Sequence, residues 1–249
     1  MKGRYVRQER LSWIGREGQE RIGKAKVAVI GVGGLGSMSA SLLARAGVGE
    51  MVLVDRDLVE ENNLHRQILY VESDCGPGSM KAIAAAKRLR EARSDLKVEG
   101  LVEDLGPERA AALAEWCDLI LDGTDNFETR YIINEACVKA GVPWIYAGVV
   151  ADYGSVMAVR PGETPCLTCV FPTPPPAGTL PACVSEGVSG PAVTAIASVQ
   201  SSLALKLLAG RADLCPGGMF TLDLATLSGR KVPVPRDPNC PCCGGKREG

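Results

Sequence analysis

The sequence predicts an α/β fold: a Rossmann-like, doubly wound and mainly parallel sheet, with an antiparallel extension and a C-terminal zinc knuckle. Three observations predict it. Apolar strand-length runs alternate with helix-length runs through residues 26–150, the pattern of a parallel sheet covered on both faces. A glycine-rich turn, Gly31-Val32-Gly33-Gly34-Leu35-Gly36, separates the first strand from the first long helix. In the second half two Cys-x-x-Cys pairs lie about seventy residues apart, a spacing that suits a closed metal site.

Taken in order, residues 1–25 form a helical arm, and Lys26 to Ile30 is the first strand. Ser37 to Ala46 reads as a helix with Gly47 just past its end. Glu50 to Asp55 is a second strand, which completes a βαβ unit. Further helices are expected at Met80 to Ala92, Pro107 to Trp116 and Asn126 to Ala140, the last ended by Gly141. Strands are expected at Lys97 to Val102, Asp118 to Asp122 and Pro143 to Val150. The second half changes character. Gly154 to Arg160, Gly218 to Leu224 and Gly229 to Val234 read as antiparallel additions to the sheet. Pro172 to Pro181 is a Pro-rich loop, and Ala192 to Ala209 is a long helix of small and apolar residues, expected to be buried. The reading is of one domain over 1–249: the arm at 1–25, a nucleotide-binding half at 26–150, and a strand, crossover-loop and zinc-binding part at 151–249.

Composition narrows the class. The chain has 249 residues, 46% of them hydrophobic, and a net charge of −1, so no global field draws it to nucleic acid or an anionic membrane. No apolar run approaches the roughly 20 residues of a spanning helix, and the polar start, Met1 to Arg10, does not resemble a signal peptide. The expectation is a cytoplasmic protein with neither nucleic-acid nor membrane partners. A single histidine, His65, argues against His-rich catalytic metal sites and leaves few ways to build a Ser-His-Asp triad.

Gly31, Gly33 and Gly36 fit G-x-G-x-x-G in the strand-to-helix context that the pattern requires, and Asp55 follows about twenty residues on, where it can accept hydrogen bonds from a ribose. These residues mark an adenosine nucleotide site without separating NAD from ATP. No G-x-x-x-x-G-K-[ST] loop is present. Three further stretches tip the balance toward ATP. In Glu61-Asn62-Asn63-Leu64-His65-Arg66-Gln67, Arg66 offers a planar fork for phosphate oxygens. In Gly78-Ser79-Met80-Lys81, Lys81 at a helix start can reach a triphosphate. In Leu121-Asp122-Gly123-Thr124-Asp125-Asn126, two acids at a strand end suit magnesium bound jointly with phosphates. Hydride transfer needs none of these. Taken singly, each also has a bland reading, and Asp125 in particular can serve as a helix cap.

With these motifs in place, the chain resembles the ThiF/MoeB/HesA group, relatives of the ubiquitin-activating enzymes. The resemblance runs nearly end to end, through Arg4-Tyr5-Val6-Arg7-Gln8, the glycine loop to Ser37, Asn63-Leu64-His65-Arg66-Gln67, Asp122-Gly123-Thr124-Asp125-Asn126 and the cysteine pairs. It implies an ATP- and magnesium-dependent adenylyltransferase that activates the C-terminal glycine of a ubiquitin-like sulfur carrier ending in Gly-Gly, for molybdopterin or thiamin synthesis. By the same resemblance Gly31, Gly33, Gly34 and Gly36 cradle the nucleotide, with Asn63 and Asn126 beside it. Asp55 binds ribose. Arg66, Gln67 and Lys81 hold the triphosphate, and Asp125 sits at the magnesium. Arg7 reaches into the partner subunit of a homodimer, and a sulfur donor protein completes the pathway. One departure is visible: the run from Asp74 to Lys81 is longer than the family's usual segment, which puts the placement of Lys81 in question. The physical reading agrees, because a carboxylate nucleophile is already ionised and needs no general base. Rival readings are a relative that activates tRNA or a small acid, a nucleotide-binding scaffold without turnover, and an NAD-dependent dehydrogenase.

Cys166 and Cys169 with Cys240 and Cys243 can fill a tetrahedral zinc, leaving no open position. Thioredoxin-like redox activity and two disulfides are the alternatives, and Cys242 can compete as a ligand. Cys183, after the Pro-rich loop, is placed over the acyl-adenylate by the resemblance, as a candidate for a covalent link to the carrier. Cys75, Cys117, Cys137 and Cys215 are read as fillers.

Overall fold

The computed structural model describes residues 3–174 and 186–245. Cys183 and the greater part of the Pro-rich loop lie outside the described residues. Eight strands form one sheet in the order β3-β2-β1-β4-β5-β6-β7-β8. The strands are β1 Lys26–Ile30, β2 Glu50–Val54, β3 Lys97–Leu101, β4 Leu119–Asp122, β5 Trp144–Val150, β6 Tyr153–Val159, β7 Met219–Asp223 and β8 Ser228–Val232. The pairs among β1 to β5 are parallel, and β5–β6, β6–β7 and β7–β8 are antiparallel. The predicted fold class is therefore the observed one. Strand order reverses between β1 and β4, which opens a crevice at their carboxyl ends.

The helices are α1 Val6–Glu9, α2 Gly15–Ile22, α3 Gly34–Ala46, α4 Lys81–Ala92, α5 Pro107–Trp116, α6 Phe127–Ala140, α7 Leu167–Val170 and α8 Gly190–Leu208. Their ends follow local chemistry. Pro107 starts α5, where its missing N–H costs nothing. The Asn126 side chain accepts from Thr129 N at 2.9 Å and caps α6, and the Ser189 hydroxyl accepts from Ala192 N at 3.2 Å and caps α8. Gly47 and Gly141 end α3 and α6 in the left-handed conformation. Helix α3 begins at Gly34, three residues before the predicted Ser37, because the glycine turn supplies its first turn.

Alternation along each strand splits the core into two layers. Val27 and Val29 of β1, Leu119 and Leu121 of β4, and Ile145 and Ala147 of β5 face the layer that holds α3, α4 and α8. Ala28, Ile30, Ile120, Trp144 and Tyr146 face the layer of α5, α6 and the cysteine cluster. A fully buried leucine or isoleucine such as Leu121 or Ile145 contributes about 1.5–3 kcal/mol of transfer free energy. Helix α8 is the long apolar helix expected over residues 192–209. It is 19 residues long and apolar enough to cross a membrane by length and composition. It packs instead on α3, β5 and β6. Its buried Gln200 donates to the Asp122 carbonyl at 2.7 Å and the Ile145 carbonyl at 3.0 Å, and accepts from the Ser39 hydroxyl at 2.7 Å. A polar side chain bonded on both ends is a core feature, not a lipid-facing one.

Candidate active site

Three glycines build the floor of the crevice by close approach. A Cβ on Gly36 would sit 1.8 Å from the Gly31 carbonyl oxygen, and one on Gly123 would sit 2.3 Å from that oxygen. The end of β1, the first turn of α3 and the end of β4 therefore meet backbone to backbone. Gly31 also holds φ +79. Gly34 packs rather than opens, since its Cβ would fall 2.9 Å from Val193 Cγ1 on α8. Gly33 differs: the nearest atom to its Cβ position is Gln67 Nε2 at 3.7 Å. It is the glycine with room beside it, at the N-terminus of α3, where a phosphate would be favoured. Replacing Gly36 by alanine is expected to cost more than about 3 kcal/mol or to prevent folding, because neither backbone segment can move without separating β1 from α3. Gly33→Ala is expected to cost much less in thermal melts and to act on nucleotide affinity instead.

Asp55 follows β2. Its two oxygens accept from Val32 N and Asp57 N, each at 2.8 Å, which leaves lone pairs on both. Burial pushes its carboxyl above the ordinary 3.8, against the pull of those two amides and the Lys81 ammonium. Acceptance from a ribose is strongest from the ionised form. Nucleotide affinity is therefore expected to fall, on acidification, at a higher pH than an exposed aspartate would give. Calorimetric ATP titrations across the acidic range should show this step, and Asp55→Asn should flatten it.

The segment before Lys81, longer than the family's usual one, leaves Lys81 tied to the end of β2. Val59 N donates to the Ser79 carbonyl at 2.8 Å, Leu58 and Met80 form an antiparallel bridge, and Lys81 N donates to the Asp57 carbonyl at 2.8 Å. This short ladder pins the start of α4 to the end of β2. The Tyr70 hydroxyl reinforces it, reaching the carbonyls of Val32 at 2.7 Å and Lys81 at 3.2 Å. The Lys81 ammonium lies 2.8 Å from Asp57 Oδ2, on a side chain only 8% exposed.

Asn63 organises the cationic loop. Its Oδ1 accepts from Arg66 Nη2 at 2.7 Å and Gln67 Nε2 at 3.1 Å. Gln67 is buried, with its amide oxygen unpartnered among the described residues. It stands against Gly33, which ties this loop to the glycine turn.

The two acids of the β4–α6 turn separate. Asp122 is fully buried. Its Oδ1 accepts from Thr124 N at 2.9 Å and Thr124 Oγ1 at 2.6 Å, and its Oδ2 accepts from Arg130 Nε at 2.9 Å. With its oxygens so engaged, Asp122 shapes the turn and does not present a carboxylate to a metal, contrary to the expectation that both acids do. Asp125 is exposed and makes no hydrogen bond or ion pair among the described residues. It lies within electrostatic reach of Arg56, whose pKa is raised mainly by Asp104, and of Arg130. Asn126 is occupied as the α6 cap. Arg7 is not brought to this crevice. Its neighbours Tyr5 and Gln8 dock at Gly47 and Ala46, the far end of α3, so about 20 Å of helix separates them from the glycine turn. Asp57, Tyr70, Gly123, Arg130 and Gln200 were not expected from sequence. Only Gly123, a glycine directly after a strand, carried a local signal.

On the other side of the sheet, the sulfurs of Cys166, Cys169, Cys240 and Cys243 lie within 4.8 Å of one another. Adjacent pairs stand at 3.4–3.9 Å, close to the ~3.8 Å edge of a tetrahedron with Zn–S of about 2.3 Å. These separations are well beyond a disulfide bond. The donor set fits zinc. Cys242 is not one of these four, but its sulfur touches that of Cys166 and accepts from Asn134 Nδ2 at 3.1 Å. Asn134, fully buried on α6, also accepts from Leu167 N at 3.0 Å and so orients the turn that carries Cys166 and Cys169.

Comparison with known proteins agrees with this architecture. The ThiF family matches residues 5–242. The sulfur carrier protein ThiS adenylyltransferase of Bacillus subtilis is 42% identical over 248 residues, covering 99% of this chain and 73% of that protein. The sulfur carrier protein adenylyltransferase of Thermus thermophilus is 40% identical over 246 residues, covering 97% and 90%. Among solved structures, E. coli MccB superposes with a TM-score of 0.84 at 24% identity, over 98% of this chain and 76% of that one, a likeness of fold. The family match over residues 5–242 and a relative 42% identical over 99% of this chain lead to one assignment: the chain belongs to the ThiF family.

Proposed function

We propose that the protein adenylates the C-terminal glycine carboxylate of a ubiquitin-like sulfur carrier ending in Gly-Gly, using ATP, for thiamin or molybdopterin synthesis. The observation that supports this best is the division of labour at the crevice. One glycine has room for a phosphate, Gln67 of the Arg66 loop stands against it, the Lys81 ammonium lies within electrostatic reach of Asp55, and one exposed acid is left unpaired. The names carried by the B. subtilis and T. thermophilus relatives point the same way.

In this reading Asp55 holds the ribose and Gly33 presents the α3 N-terminus to the phosphates. Arg66, Gln67 and Lys81 hold the triphosphate, with Lys81 shared between phosphate and Asp57. Asp125 and phosphate oxygens together would hold magnesium, which supplies charge neutralisation and alignment. The carrier carboxylate oxygen attacks the α-phosphorus. The bond to the bridging oxygen of the β-phosphate breaks, and pyrophosphate leaves with that electron pair. The product is an acyl-adenylate, and no proton is moved, so no general base is required. Arg7, remote from its own crevice, would serve that of a second copy in a homodimer. A sulfur donor protein would then supply sulfur at the sulfide level, which attacks the acyl carbon and displaces AMP to leave a thiocarboxylate. Residues 1–25, 26–150 and 151–249 would act as one catalytic unit.

The test is ATP–pyrophosphate exchange with ATP, magnesium and purified carriers of the thiamin and molybdopterin types. Exchange that appears only with a carrier, and is lost when its last glycine is removed, is expected. Absence of exchange with every Gly-Gly carrier, or exchange that tRNA or a small acid supports instead, would overturn the reading.

A further inference from the structure

Arg130 lies on α6, one turn past its N-terminus, in a stretch without a recognisable motif. It is 6% exposed, yet it is tied to three separate elements. Nε donates to Asp122 at the end of β4, at 2.9 Å. Nη2 donates to the Thr124 carbonyl at 2.7 Å and to the Ala147 carbonyl of β5 at 3.1 Å. The guanidinium lies over two rings, 5.1 Å from the Phe127 centroid and 5.0 Å from that of Tyr146. The Thr124 carbonyl belongs to the peptide bond that leads into Asp125. On the other flank, Asn126 is locked as the α6 cap. Asp125 thus stands between two fixed peptide units while its own carboxylate stays exposed.

We propose that Arg130 is a positioning residue for adenylation: by bracing the β4–α6 turn it holds the Asp125 carboxylate where a divalent cation on the nucleotide needs it. The inference rests on the reading of Asp125 as the metal-binding acid. Three properties suit the role. A planar fork can serve Asp122 and Thr124 at once, which a lysine ammonium on a flexible stem does far less well. The two aromatic faces restrict the guanidinium to one plane. Burial is the largest influence and opposes its charge, but Asp122, Tyr146 and Asp125 together outweigh it and hold the pKa above its ordinary value. The brace is therefore a permanent cation beside the acid. An Asp125 backbone free to drift by an ångström would loosen the metal without altering any residue that contacts substrate.

The experiment is a magnesium titration of wild type, Arg130→Lys, Asp125→Ala and the double variant. It is followed both by carrier-dependent ATP–pyrophosphate exchange and by calorimetric binding of magnesium to protein saturated with a non-hydrolysable ATP analogue. Arg130→Lys should raise the magnesium needed for half-maximal exchange by about 10-fold, and should weaken calorimetric binding of the metal by the same factor. At saturating metal the rate should recover to within about 3-fold of wild type, the range of a coupling through one intermediary. In the Asp125→Ala background it should add less than about 2-fold, because the group it positions is gone. Losses that multiply in the double variant, or that persist at saturating magnesium, would mean that Arg130 contacts the substrate or merely supports the fold, and would overturn the inference. If Arg130→Lys fails to fold, Thr124→Val, which removes only the 2.6 Å hydroxyl bond to Asp122, should give the same metal-dependent shift at smaller size. A Thr124→Val variant with unchanged magnesium dependence would count against the brace. A normal rate for Asp125→Ala alone would instead overturn the role of Asp125, a separate failure.

Discussion

Replacing Asp125 by alanine is expected to lower carrier-dependent ATP–pyrophosphate exchange by about 10²- to 10³-fold, the scale on which one preorganised electrostatic group at a reacting centre is felt. Stability should hardly change. The carboxylate is exposed and has no hydrogen bond among the described residues, so the substitution should fall within about 0.5 kcal/mol. Asp122→Asn should behave in the opposite way. It disrupts a pair in which both side chains are buried, at 0% and 7% exposure, and leaves a guanidinium without its counter-charge. A cost of about 3–5 kcal/mol is expected. Thermal melts and initial rates on the two variants separate an acid that works on the ligand from one that shapes the turn. An Asp125→Ala enzyme within about 3-fold of wild type would remove this residue from the chemistry.

Loss of the metal from the cysteine cluster has the second large expected effect. One zinc per chain should be found by metal analysis. Cys240→Ser, or chelation, should lower the melting temperature by about 10 °C or more, since closing a structural site is worth several kcal/mol and each is worth about 2–4 °C in a chain of this size. The cluster ties the tail after β8 to Cys166 and Cys169 at the start of α7, and most of residues 233–239 are exposed. Limited proteolysis beyond Val232 should therefore accelerate first. Zinc-free protein with an unchanged melt would eliminate the structural reading and return the two pairs to redox or disulfide chemistry. Because Asn134 and Arg130 lie one turn apart on α6, one tied beside the cysteines and the other to the Asp125 turn, the comparison should also record the magnesium dependence of zinc-free protein.

Much of the fold could be read directly from local chemistry. Alternation placed β1, β2 and β4 to within a residue of their ends, and Gly47, Gly141 and Pro107 marked helix boundaries for reasons internal to a few residues. The glycine turn could be recognised because its requirement, backbone approach at a strand-to-helix junction, is itself local. The boundary of α3 moved because the same glycines also serve as its first turn.

The residues of the crevice were less evenly legible. Arg66, Gln67 and Asn63 sit within one short loop, and the structure links them to one another. Asp122 and Asp125 looked equivalent, two acids in one turn. Nothing nearby said that one would be buried against an arginine eight residues on. Lys81 was in doubt because residue counting measures the path along the chain, whereas its position is set by a ladder from residues 57–59 to residues 79–81 that ignores the length of the loop between.

From the chain alone came the kinds of chemistry available: a nucleotide turn, phosphate-binding cations, acids for a metal, thiols at zinc spacing. These follow from residue type and short-range periodicity, which folding does not alter. Which acid remains free, which glycine leaves space for a phosphate, and which helix in the core holds Asp122 through Gln200 were decided by tertiary packing. Burial, desolvation and hydrogen-bond saturation arise only when segments far apart in sequence are pressed together.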